Sequence, residues 1–241
     1  MKNEKTSFGY KSKGNSKYVI VAPHAAGDDL KSGEISQEIA NLLNSSLVVN
    51  DSHVKPTNAS NNVRSESQRK PVCDFNNIPR GNIFRIDAMS DFYKHINEFS
   101  IEARKNSSKQ HDHKEHAVVV YIHSMKDEEI GVDIGIGAKY HQNTLKSAKS
   151  HPQGGRNSGV IRTSRILAQE LRRSLRENLD MDVTIGRRFA AWSRENGIQF
   201  HKGSPDHSIQ LEISHKLRQD ENYKETANQI AKALQSSYES L

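Results

Sequence analysis

YVIVAPHAAGDDLKSGEISQEIANLLNSSLVV, running from Tyr18 to Val49, is the stretch whose reading decides the fold. Tyr18–Ala22 is a short apolar, β-rich run closed by Pro23, the pattern of a buried strand. Ile35, Ile39, Leu42 and Leu43 then recur at helical spacing, which predicts an amphipathic helix over Glu34 to Leu43. Leu47-Val48-Val49 predicts a second strand. Strand, loop, helix and strand in that order open an α/β fold.

Outward from this unit the alternation continues. Met89, Phe92, Tyr93, Ile96 and Phe99 mark a helix with Asp87 or Ser90 as its N-cap. Ala117 to Ile122 (AVVVYI) is the strongest strand, apolar enough to be buried on both faces. Ile130 to Ile136 alternates as another strand. Ile166, Leu167, Leu171 and Leu175 predict a helix, Asp182 to Ile185 and Ser208 to Ile213 predict strands, and Tyr223, Ala227, Ile230, Ala231 and Leu234 predict a closing helix. Residues 51–72 and 105–116 read as polar connections, and 139–158 as a long polar loop of the kind that is often functional. Residues 1–17 lack periodicity and are expected to be a flexible polar tail, with 18–241 forming one catalytic domain.

Composition narrows the class. Of the 241 residues 34% are hydrophobic and the mean hydropathy is -0.81, with no apolar run long enough to cross a bilayer and no apolar segment behind Met1. Cys73 is the only cysteine, so no intrachain disulfide forms, and a cytoplasmic, reducing location is expected. The net charge of +6 suits either nucleic acid or an acidic substrate. Basic and acidic residues are interleaved and no nucleic-acid motif occurs, so neither a nucleic-acid nor a membrane partner is expected.

Polar clusters stand where an open α/β sheet builds ligand sites. Pro23-His24-Ala25-Ala26-Gly27-Asp28-Asp29 follows the first strand, His123-Ser124-Met125 follows AVVVYI, and Gln210-Leu211-Glu212-Ile213 lies in the late strand. Hydrolytic zinc takes three His or carboxylate ligands and keeps one position open. His24, an aspartate a few residues on, and His123 supply that set, with small residues between the first two to let the backbone curl. Glu212 is then placed to move a proton between water and a leaving amine. Each residue has a structural alternative: the histidines as satisfied polar residues, the aspartates as partners of a helix N-terminus, and Glu212 as the partner of an arginine. Spacing leaves both readings open. The run His111, His113 and His116 is metal-competent by type but lies in a charged connection with nothing to shape a closed site.

VIVAPHAAGDD, VVVYIHSM, DIGIG and SIQLEISHKLRQDE, in this order, resemble the N-formylglutamate amidohydrolase superfamily, over roughly residues 18 to 220. The resemblance implies a three-layer α/β/α fold with a mixed central sheet, like that of zinc carboxypeptidases and of poly-γ-glutamate hydrolases. It implies one zinc ion held by His24 and His123, with Glu212 catalytic. The hydrolase pattern puts the carboxylate ligand about five residues after the first histidine, which selects Asp29, with Asp28 a close and Glu34 a distant competitor. Related enzymes carry Asp-x-Asn-Arg, whose arginine grips a substrate carboxylate. This chain has Asp74-Phe75-Asn76-Asn77, so Arg80 or Arg162 is the candidate replacement, with Arg187-Arg188 of similar standing.

The function implied is hydrolysis of the C–N amide bond of a small anionic N-acyl amino acid, or of a glutamyl or peptide-like substrate, through a metal-activated water. The alternatives are a peptide or cell-wall metallohydrolase, for which residues 139–158 decide between open groove and closed pocket, and a non-catalytic ligand-binding protein.

Overall fold

The structure is a computed structural model that describes residues 2–27, 29–55, 70–79, 84, 86–110, 116–152, 159–201 and 204–240. Its spine is an eight-stranded mixed sheet: β1 (Glu4–Lys5), β2 (Gly9–Ser12), β3 (Tyr18–Ala22), β4 (Ser46–Asn50), β5 (Val118–Met125), β6 (Ile130–Gly135), β9 (Asp182–Ile185) and β10 (His207–Ser214). The spatial order is β1-β2-β4-β3-β5-β10-β6-β9. The central four, β4, β3, β5 and β10, are parallel. β2 and β6 run against them on either side. β7 (Ala138–His141) and β8 (Thr144–Ser147) form a separate hairpin.

Residue polarity decides which helix covers which face. Ile20, Ile122, Leu211 and Ile134 meet one core with α1 (Ser32–Leu43), α3 (Arg165–Asn178) and α4 (Tyr223–Glu239). Val19, Val21, Val119 and Tyr121 point the other way, against Phe92, Tyr93 and Ile96 of α2 (Asp87–Gln110). The result is the three-layer α/β/α fold, and because both faces are covered, β3 and the first five residues of β5 read as unbroken apolar runs. Helix ends follow local chemistry. Asn44 closes α1 in the left-handed region (φ 48), its N–H reaching Ala40 O and Asn41 O, while Ser164 Oγ caps α3 by accepting from Ile166 N at 3.2 Å.

Several expectations need correction. Residues 4–12 are not a tail: Gly9–Ser12 pairs antiparallel with β4, and Phe8 is fully buried against Phe92. One buried aromatic anchors an otherwise polar edge. The loop expected at 139–158 contains the β7–β8 hairpin, whose turn places Gln142 and Asn143 at positive φ. α2 extends to Gln110, past the start of the expected charged connection. Leu42, placed on the buried face of α1, is half exposed. No helix among the described residues is long and apolar enough to cross a membrane.

Candidate metal centre

β3 ends at Ala22, and the chain turns through Pro23-His24-Ala25-Ala26-Gly27 to Asp29. Gly27 makes the turn possible with φ +115, which side chains rarely tolerate, and Asp29 N closes it by donating to His24 O at 3.1 Å. Asn50, buried at the end of β4, donates to Pro23 O at 2.7 Å and fixes the start of the turn. His123 lies near the carboxyl end of the neighbouring β5, and Glu212 is its register partner on β10. Three distant segments thus meet at one end of the parallel strands, as the polar clusters predicted.

The geometry is tight. His24, Asp29 and His123 each present one donor atom, all within 4.8 Å of one another, the only such group of three among the described residues. His24, Asp29, His123 and Glu212 are 4, 3, 3 and 6% exposed. Asp29 Oδ2 accepts from Ser124 N at 3.3 Å and lies 3.0 Å from His123 Nδ1 and 3.4 Å from His24 Nδ1. Asp29 Oδ1 pairs with Lys55 Nζ at 3.1 Å. The two imidazole centroids are 4.9 Å apart.

Asp74 is the residue whose role sequence reasoning missed. His24 donates from Nε2 to Asp74 Oδ1 at 2.8 Å, so Nε2 carries a proton and Nδ1, turned toward Asp29, is the nitrogen that can lose its proton to a cation. Nδ1 of His24 and Nε2 of His123 are buried without a hydrogen-bond partner. Buried polar atoms are rarely left so. Two unpartnered imidazole nitrogens beside a buried carboxylate are a donor set that fits zinc.

Electrostatics agree with a site built around positive charge. Burial works against ionised Asp29, yet the imidazoles of His123, hydrogen-bonded to it, and His24, beside it, hold its carboxyl far below the usual range. Burial also opposes charge on His24, but Asp29 and Asp74 outweigh it and push its pKa up to about 9. Burial keeps His123 below its ordinary value. Glu212 is pushed up to about 8, first by burial and then by the charge of Asp29. Gln210 Nε2 donates to Glu212 Oε1 at 2.8 Å while Gln210 Oε1 accepts from Asn196 at the same distance, which fixes both the amide and the carboxyl.

Two further side chains organise the surroundings. Asp133, opposite Glu212 on β6, accepts from Thr184 Oγ1 (2.7 Å) and from the backbone N–H groups of Arg187 (3.0 Å), Arg188 (2.7 Å) and Phe189 (2.7 Å). Arg218 is buried and donates to Ile213 O at 2.9 Å, to Met125 O at 3.2 Å and to Leu30 O. Each of those carbonyls is one or two residues from Glu212, His123 or Asp29.

Other candidates stand elsewhere. Arg162 is buried and donates to the carbonyls of His201 and Asp206, beside the amino end of β10, the end away from Glu212. Five residues of strand, roughly 17 Å, separate His207 there from Glu212. Arg162 therefore ties chain segments together and does not meet the metal group. Glu34 is on α1, its carboxylate paired with Lys31 at 3.5 Å. Arg80, Asp28, His111 and His113 lie outside the described residues, and the ring of His116 packs against His207 at 5.5 Å. In Asp74-Phe75-Asn76-Asn77, Phe75 is core and Asn76 Oδ1 accepts from Gly197 N at 3.0 Å.

No protein-family model matches the sequence, and no curated protein matches it either. Solved structures do. The chain is similar to gene product Atu2144 from Agrobacterium tumefaciens, with a TM-score of 0.54 and 13% identity over 94% of this chain and 92% of that one. The two share a fold. It is also similar to a bacteriophage poly-gamma-glutamate hydrolase (TM-score 0.49, 13% identity, 95% and 86% covered) and to N-formylglutamate amidohydrolase from Ralstonia eutropha JMP134 (TM-score 0.47, 12% identity, 95% and 94% covered).

Proposed function

We propose that this chain is a metal-dependent hydrolase of a C–N amide bond, with one zinc ion held by His24, Asp29 and His123 and with Glu212 as proton carrier. The observation that carries the reading is the convergence of two buried imidazoles and a buried carboxylate within 4.8 Å, beside a buried glutamate on the adjacent strand. The resemblance of the sequence motifs to N-formylglutamate amidohydrolases supports the same chemistry. The substrate class is a small N-acyl amino acid, or a glutamyl or peptide-like amide with a free carboxylate, for which the net charge of +6 is suited.

His24, Asp29 and His123 would hold a divalent ion here, which would supply Lewis-acid chemistry to the amide carbonyl and to water. The protein supplies the rest. Asp74 holds His24 in the tautomer that frees Nδ1. Glu212, steadied by Gln210, takes the proton of the attacking water and passes it to the departing nitrogen, so that the amine leaves neutral. Its raised proton affinity suits the second half of that task, and the charge of a bound cation favours the ionised form needed for the first.

Metal analysis of wild type beside His123→Ala, joined to a hydrolysis screen over N-acyl amino acids and γ-glutamyl peptides, tests this. Wild type is expected to hold about one ion per chain and His123→Ala far less. Glu212→Gln keeps the metal and loses on the order of 10² to 10⁴ in turnover. A Glu212→Gln protein with metal and full activity refutes the mechanism.

A further inference from the structure

Asp29 divides its two oxygens between different partners. Oδ2 lies against both imidazoles, at 3.0 and 3.4 Å, whereas Oδ1 is 3.1 Å from the ammonium of Lys55. The Asp29 carboxylate is 2% exposed and the Lys55 side chain 36%, so a cation reaches in from the surface to one oxygen of a buried anion. Its backbone is placed with care. Val54, just before it, donates to Pro71 O at 3.0 Å and accepts from Cys73 N at 2.8 Å, in a bridge whose other side leads directly to Asp74. Lys70, the nearby alternative, is directed to the carbonyls of Ala26 and Asp51. Among the described residues no other lysine or arginine forms an ion pair with Asp29.

We propose that Lys55 is a positioning residue that keeps Asp29 a one-oxygen ligand, an inference that rests on the metal reading above. A carboxylate with both oxygens free can chelate a cation through the pair, and doing so fills coordination space that a hydrolytic site must leave open. An ammonium hydrogen-bonded to Oδ1 makes that oxygen a poor second ligand and leaves Oδ2 facing the histidines. The same positive charge also weakens the site's hold on any cation. Removing it therefore has two linked effects: the ion binds more tightly, and it gains a ligand atom.

Zinc affinity, measured by competition with a chromogenic chelator, and the visible absorption of the cobalt(II)-loaded protein read these two effects. Four-coordinate cobalt(II) absorbs strongly, and the band weakens as coordination number rises. Lys55→Met is expected to bind zinc about tenfold more tightly than wild type and to give a weaker cobalt band. Lys55→Gln moves in the same direction, and Lys55→Arg, which restores the cation, matches wild type in both. If either quantity in Lys55→Met and Lys55→Gln stays within error of wild type, the positioning role is wrong. A wild type that takes up neither zinc nor cobalt is a different result, and it refutes the metal reading itself.

Discussion

Replacing Arg218 with methionine should damage the fold and the metal centre together. The guanidinium bonds three carbonyls, those of Ile213, Met125 and Leu30, drawn from three separate segments. A hydrogen bond involving a charged group contributes about 1.5–3 kcal/mol, and the three are not additive because one side chain makes them all. Losing the set leaves buried carbonyls without this donor, and the net cost is about 3–5 kcal/mol, within the range for breaking a buried charged contact. Leu30 adjoins Asp29, Ile213 adjoins Glu212, and Met125 is two residues beyond His123, so the donor atoms lose a shared anchor. Zinc affinity is expected to fall roughly 10- to 100-fold, the usual effect of removing a group that orients ligands. Urea unfolding of the metal-free protein reads the first quantity and chelator competition the second. Arg218→Lys, with one ammonium in place of the planar fork, recovers part of each. A methionine variant with wild-type midpoint and wild-type zinc affinity would falsify the claim that Arg218 clamps the centre. A lowered midpoint with unchanged affinity would confine it to the fold.

Three further outcomes follow from the same geometry. Asp74→Asn leaves His24 without a charged acceptor for its Nε2–H, and zinc affinity, read by chelator competition, should drop about 10- to 100-fold, while the metal-free protein loses stability below about pH 9 because His24 loses a charge that raises its pKa. Gly27→Ala puts a side chain at φ +115 with nothing within 4 Å of the new Cβ, so its cost of about 1–2 kcal/mol in urea unfolding is backbone strain alone; a neutral result would mean that the turn relaxes freely. His201 is buried, with its pKa pushed down to about 3, first by burial and then by Arg162 and Arg104. Because that value lies below the unfolded one of 6.5, its stabilising effect is complete above pH 6.5 and shrinks as pH falls toward 3. Between pH 7 and pH 5 wild type should lose about 2 kcal/mol more than His201→Gln, and equal losses in paired urea titrations would remove this account.

Strands wholly inside the molecule were legible because burial on both faces demands an unbroken β-rich run, as in Tyr18–Ala22 and Val118–Ile122. Strands at the periphery were not. Gly9–Ser12 and the β7–β8 hairpin are polar, and tertiary pairing, which no local pattern records, makes them strands. The same division holds at the site. His24, Asp29, His123 and Glu212 stand at or near strand ends, where position in the chain and residue type coincide, and the structure brings them together. Asp74 and Arg218 lie inside stretches that the resemblance marks, DFNN and SIQLEISHKLRQDE, but their partners His24 and Leu30 are 50 and 188 residues away and their roles are not readable locally; Lys55, 26 residues from Asp29, lies in no marked stretch. Arg162 shows the converse error: an arginine of the right chemistry serves backbone carbonyls because its segment runs beside the wrong end of β10.

The hydrogen bond from Asp29 N to His24 O means that two of the three donors come from one small ring of chain, while the third joins from 94 residues away. An ion bound across them is therefore a staple over the 94-residue segment that carries α1, β4 and α2 into β5, closing a loop whose entropy the unfolded chain would otherwise regain. Heat resistance should then track free metal concentration, rising by about 1.4 kcal/mol for each tenfold excess over the dissociation constant.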